Sequence, residues 1–529
     1  MVPKRDSLFH PCSRRLHVLL LCMFGVFNST FLNINLAINM HCMVNSTAVS
    51  IIEGYNLNAI EVDVFDNTTV STDLTEGNGC SVDSDASSVK KPQPIVDYGG
   101  SLLWDHSVQN LLFSAHMWGS LLGIPISLIF MQRLSPKWTF ALVITIKALM
   151  NLVIPVCAMY LPYYSVFAAR FLLGFGEPFI YPCINTILAA FFRMEERSTA
   201  LALFTSGNQV AMVLGNQIGA AFCKSRFGWP AGFYFPGMLA VLWIFLWSTL
   251  ASNAPEDCKK MSVAERQMYN TSSMARIPSR RRNQKVPWKA ILMNIPFHSH
   301  LFANVAITIV ATLLMIYLPS YFKDVLHLGV MANGAYTSLP TIFNFVFKLT
   351  WGMLMDKMKR TGILTPTQGV RISQLFPTFG IAISLICLVL FANCQNPEYA
   401  FIIICFTNLC MGGYISGAYV SLLSLAPSLT PTLSSISVGS GNLSALFTPL
   451  LILLLNPTSN AVGWNRVFIA MAAISVLAGI IFTAFGSGDI QKFAPEYQEK
   501  SKNAENSEGE KFLEAVRLNS YRAESISIV

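Results

Sequence analysis

Residues 170–186 read RFLLGFGEPFIYPCINT. The stretch is apolar enough for a bilayer, yet it holds Arg170 and, seven residues on, Glu177. An ionisable group in lipid costs a few kcal/mol or more, so each must meet water, another helix or a solute. Seven helical residues make two turns, which puts both groups on one face, about 10 Å apart along the axis. They are too far apart for a simple pair. The pattern predicts a membrane helix whose polar face looks inward.

The rest of the chain fits that reading. Of 529 residues, 53% are hydrophobic and only 12% charged, and the mean hydropathy is +0.49. A soluble chain carries about twice that charged share. Twelve apolar blocks of bilayer-crossing length follow one another, at about 16–40, 108–131, 138–159, 164–192, 199–223, 231–252, 299–321, 334–356, 373–392, 398–423, 432–455 and 466–486. Backbone polar groups must be paired inside lipid, so these blocks are read as helices of an all-α membrane protein.

Charge gives the orientation. The net charge of +8 is not a nucleic-acid signal, because it sits in loops of one parity: Arg14 and Arg15, Arg133 and Lys137, the run from Lys259 to Lys289, and Lys357, Lys359, Arg360 and Arg371. The positive-inside rule places these loops and both termini in the cytosol. On the opposite side, loop 42–107 carries sequons at Asn45 and Asn67, which are glycosylation acceptors if they face the lumen or exterior. A third sequon at Asn270 falls in the basic central loop and is read as unused. Cys42 and Cys80 share the outer loop and are candidates for a disulfide.

The first apolar block lacks a small-residue cleavage site and is read as a span. The chain then divides into a cytosolic N-terminus 1–15, a six-helix half 16–252, a cytosolic central loop 253–298, a second six-helix half 299–487 and a cytosolic tail 488–529. That is the plan of the major facilitator fold, two six-helix bundles around a midplane cavity. The tail ends in Ser527-Ile528-Val529, a form suited to strand addition in a PDZ groove. There is no Walker loop, metal cluster or nucleophile elbow, so neither an enzyme nor primary active transport is expected, and no cofactor.

Ten short motifs occur in register: WD at 104–105, HMWG at 116–119, RFLLGFGEPFIYP at 170–182, ERS at 196–198, GWPAGFY at 228–234, LPSYFKDV at 318–325, WGMLMDKMKR at 351–360, LAP at 425–427, WNRVF at 464–468 and SGDIQKFA at 487–494. Together they resemble the anion and phosphate cotransporter family that includes sialin and the vesicular glutamate transporters. The resemblance implies that Arg170 and Glu177 line the cavity, with the arginine on the anion and the glutamate on a coupling proton. Gly352 and Asp356 resemble the facilitator G-x-L-x-D motif, a gate at the cytosolic face, with Arg360 beside it. The matching loop keeps Arg133 but lacks the aspartate, which predicts a weaker gate there.

The sequence also departs from the family. A span-1 arginine is replaced in Asn33-Ile-Asn35-Leu36, a span-4 histidine by Asn185 and a span-7 arginine by Ile307. The span-2 histidine position is Phe113, with His116 one turn on, and a span-10 aspartate is Ser424. His116 could titrate near neutral pH and is a coupling candidate. Fewer cations disfavour a dicarboxylate, while Asn33, Asn35, Asn39 and Asn185 offer neutral hydrogen bonds to a monoanionic or neutral polar solute. Lys348 is expected to snorkel to the cytosolic edge, or else to act as a replacement cation on the cavity. The expected function is secondary transport of a small organic anion, driven by a proton, sodium or membrane potential, in a plasma or endolysosomal membrane. Transport of a neutral solute, or a receptor role through the tail, are the alternatives.

Overall fold

The computed structural model describes residues 13–45, 48–49, 100–193, 195–258, 286–318, 339–392, 395–456 and 461–498, with isolated positions between 261 and 336. Asn67, Cys80, Asn270, most of the basic central loop and the tail ending in Val529 lie outside the described residues.

Twelve long helical segments run through the described residues. The first six are α1 (Arg14–Met43), α2 (His106–Phe130), α3 (Pro136–Tyr160), α4 (Tyr163–Phe191), α5 (Arg197–Lys224) and α6 (Gly228–Leu250). The second six are α7 (Ile295–Tyr317), α8 (Pro340–Arg360), α9 (Pro366–Phe391), α10 (Pro397–Leu425), α11 (Pro427–Leu455) and α12 (Ala461–Phe485). Ten of these are long and apolar enough to cross a membrane; α5 and α8 are the other two. Both are long enough but carry polar faces, with Thr205, Asn208 and Gln209 on α5 and Asn344 and Lys348 on α8. Those faces meet each other at the bundle interface rather than facing lipid.

Helix α3 shows how one sequence serves both surroundings. Ile144, Lys147, Ala148, Asn151 and Ile154 recur at helical spacing and are buried. Leu142, Leu149, Val153 and Val156 on the other side are 43–59% exposed, the face left for acyl chains. Apolar burial does not drive helix association in lipid, so close packing and interhelical hydrogen bonds must do it. Phe140 packs edge-on against Trp243 and Trp247 at 4.9 and 5.1 Å. The Trp243 indole donates to the Leu21 carbonyl at 2.8 Å. Helices α2 and α4 touch through backbone: a side chain at Gly119 would strike Phe171, and one at Gly174 would strike His116.

Two bundles result. In the first, α1 lies along α5 and α6, α2 along α4, and α3 between α4 and α6. In the second, α7 packs on α12, and α8 and α9 pack on α10. The bundles meet where α2 and α4 face α11 and where α5 faces α8.

One expectation is corrected. Cys42 is bonded to Cys223, not to Cys80. Because α1 and α5 run in contact, the last turn of α1 comes beside the last turn of α5, although 181 residues separate the two cysteines in sequence. Close by, Asn45 donates its backbone N–H to the Leu102 carbonyl at 3.0 Å, which ties the end of α1 to the residues just before α2.

Candidate functional site

A cavity of about 440 Å³ lies between the bundles, lined from α4, α5, α7, α8, α10 and α11. Its walls carry amides, hydroxyls and three tyrosines, Tyr181, Tyr414 and Tyr419. Tyr414 precedes and Tyr419 ends a widened turn of α10, Ile415–Tyr419, in which Gly417 leaves helical geometry at φ −90°, ψ −110°. The Gln374 side chain accepts the freed Ala418 N–H at 2.9 Å. Such a break is tolerated where it borders a polar cavity inside protein. Opposite, Tyr414 donates to Asn304 at 2.7 Å, and Tyr419 donates to Asn185 at 3.0 Å.

The cavity's cation is Lys348. Its side chain is buried, and its Nζ donates to Gln209 Oε1 at 2.7 Å and to Thr205 Oγ1 at 3.4 Å. Both partners are neutral and belong to the other bundle. The expected snorkelling to the membrane edge is therefore corrected: the helix aims Lys348 at the cavity, where the α5 amide and hydroxyl receive it.

Below the cavity the bundles are joined. Asp356 accepts the backbone N–H groups of Ser198 at 3.2 Å and Thr199 at 2.6 Å, at the first turn of α5. A carboxylate there meets unpaired donors and the positive end of the helix dipole. Lys359 bridges Asp356 at 2.8 Å and Ser198 Oγ at 2.8 Å. Gly352 allows the approach, since a Cβ there would lie 3.1 Å from the Ser198 carbonyl oxygen. Arg197 donates to the Leu423 carbonyl at 2.8 Å, Asn185 to Ser434 at 3.0 Å, and Gln132 to the Ser428 carbonyl at 3.2 Å. Gln132, next to Arg133, makes the corresponding contact on the α2 side without a carboxylate. Arg133 and Arg360 themselves are exposed at the ends of their helices. Along α5, the described inter-bundle hydrogen bonds run from Arg197 to Gln209, so one end of the molecule is closed.

The charges at 170 and 177 sit elsewhere, inside the first bundle. Neither they nor Asn33 or Asn35 is among the residues lining the cavity, whereas Asn185 is. Arg170 is buried and donates to the Asn33 carbonyl at 3.2 Å. The Asn33 amide in turn donates to Glu177 at 3.0 Å. The two charges share a face, as expected, and are linked through α1. Helix α4 is interrupted at Gly176, just before Glu177 and Pro178. Glu177 forms an ion pair with Lys147, a residue the sequence reading did not single out. A lysine in the middle of an apolar span was the signal, because such a charge needs a partner. His116 Nε2 is 4.0 Å from the same carboxylate. Asn35 is spent on packing: it donates to Asn151 at 2.6 Å, and Asn151 donates to the Phe233 carbonyl at 2.7 Å.

Residues 19–449 match the model of the Major Facilitator Superfamily. The chain is similar to an "Uncharacterized transporter slc-17.3" of Caenorhabditis elegans, 39% identical over 93% of this chain and 91% of that one. It is similar to sialin of Homo sapiens, 25% identical over 93% of each chain. Its fold is similar to that of the proton:xylose symporter XylE, with a TM-score of 0.65 and 12% identity over 92% of this chain and 98% of that one.

Proposed function

The chain belongs to the Major Facilitator Superfamily as a multi-pass membrane transporter, and we propose that its cargo is a small monoanionic organic solute held at Lys348. The observation that carries this reading is a buried ammonium on the inter-bundle cavity whose described partners are neutral. A buried charge without a counter-ion is costly, and an anionic solute would supply one. One cation matches one negative charge. The surrounding amides and tyrosines suit the hydroxyl or amide groups of the rest of the solute.

Lys348 also bears on alternating access. It sits on α8 and is received by α5, so its surroundings change when the bundles rock. Asp356 and Gly352 act in this reading as the latch of the closed end. The basic residues Arg14, Arg15, Arg133, Lys137 and Lys357 mark that end as cytosolic, which leaves the cavity facing outward. Asn45 and the Cys42–Cys223 bond then lie on the lumenal or extracellular side, and the tail with its PDZ-type ending lies in the cytosol.

Ligand-induced thermal stabilisation of the purified chain tests the cargo class. A ligand at 100 times its Kd stabilises by about 2.7 kcal/mol. Small hydroxylated or amidated monocarboxylates should raise the melting temperature of the wild type and leave Lys348→Gln unmoved. Equal stabilisation of both proteins would remove Lys348 from the site.

A further inference from the structure

A second lysine is buried in the middle of a span, away from the cavity. Lys147, on α3, is fully buried and is held by Glu177 of α4 and by Ser29 Oγ of α1 at 2.7 Å. We propose that Lys147 is the permanent counter-ion of Glu177, so that this carboxylate stays charged and takes up no proton in the transport cycle.

The charged and titratable groups facing Glu177 are His116 on α2, Lys147 on α3 and Tyr181 on α4, with Arg170 of α4 close to Lys147 and His116. Helix α1 adds only the Asn33 amide and the Ser29 hydroxyl, the latter at 3.4 Å. Every one of these partners belongs to the first bundle. When bundles rock as bodies, contacts within one bundle persist and contacts between bundles change. A carboxylate can couple a proton to this motion only if its compensation differs between the two states. Lys147 compensates Glu177 in both. Lys348 differs in this respect, because its partners Gln209 and Thr205 lie across the interface.

The consequence deepens the proposed transport and rests on it. A monoanion moved without a proton on Glu177 carries net negative charge across the membrane. Its accumulation then follows the membrane potential, at about 2.3 kcal/mol per charge per 100 mV.

Dicyclohexylcarbodiimide tests the protonation claim without any transported solute. It attacks the protonated form of a carboxyl in apolar surroundings and leaves a stable N-acylurea, which peptide mass spectrometry locates. The full-length protein would be labelled in liposomes from about pH 5 to about pH 8, the range over which a buried, uncompensated carboxyl takes its proton. Glu177 of the wild type should stay at least about tenfold less labelled than in Lys147→Gln, a difference equal to a shift of one pH unit or more. Lys147→Gln keeps a donor for Ser29, and Lys147→Arg, which keeps the charge, should remain protected. Wild-type labelling that matches Lys147→Gln, or that climbs as pH falls, would overturn the proposal. Should Lys147→Gln fail to fold, the wild-type profile decides, scaled to the same peptide labelled in denatured protein: flat protection upholds the counter-ion and a rise toward acid pH refutes it. Since no solute is involved, a negative result in every uptake assay would defeat the transport reading while leaving this one standing.

Discussion

At the scale of single residues, three of the buried cations, all in mid-span, have three different settings. Arg170 donates to a backbone carbonyl, Lys147 meets a carboxylate, and Lys348 meets only neutral groups on the far bundle. The sequence made the first legible, because an arginine and a glutamate seven apart in an apolar run must share a face. It did not show which residue neutralises Glu177, since α3 and α4 meet through tertiary packing that no local spacing encodes. Nor did it decide between the membrane edge and the cavity for Lys348; the direction of one side chain on α8 does. The position of the family's span-7 arginine is Ile307, which lines the cavity. Ile307→Arg adds a second cation there. It should improve competition by dicarboxylates at least tenfold, the order of one charge-assisted hydrogen bond of about 1.5–3 kcal/mol. Competition binding against a labelled monocarboxylate would measure it. No gain for dianions would place the anion site elsewhere.

At the scale of elements, the proposed latch is a helix end captured by another helix. The aspartate of the G-x-L-x-D pattern stood out in the sequence, and the structure gives its partners across the interface as the first backbone N–H groups of α5. Those partners were not legible, because a backbone donor leaves no mark on the sequence. The kink at Gly417 was likewise hidden, since the group that accepts the freed N–H is a glutamine on another helix, α9. Asp356→Asn halves the acceptor capacity and removes the charge. Losing about 1.5–3 kcal/mol at this contact should shift the population toward the state open at that end by tenfold or more. Modification of a cysteine introduced at Ser435, beside the closed α2–α11 contact, by a membrane-impermeant thiol reagent should accelerate accordingly in inside-out vesicles. An unchanged rate would mean that the latch holds no part of the equilibrium.

At the scale of the whole molecule, twelve apolar blocks and their alternating charge were enough to give two six-helix bundles. The two spans that fall short on apolarity, α5 and α8, meet at the bundle interface and both line the cavity, which is where their polar side chains go. The cysteine pairing was not legible, because proximity in a loop says nothing about which helix ends adjoin. Uptake into proteoliposomes, with wild type and Lys348→Gln reconstituted in parallel under an imposed membrane potential, tests the central claim most directly. A panel of labelled neutral, singly and doubly charged solutes should show potential-driven uptake of a monoanion by the wild type, cut at least tenfold in Lys348→Gln, as expected for loss of a charge-assisted contact. Uptake of a neutral solute at equal rates in both proteins, with no monoanion moved, would contradict it.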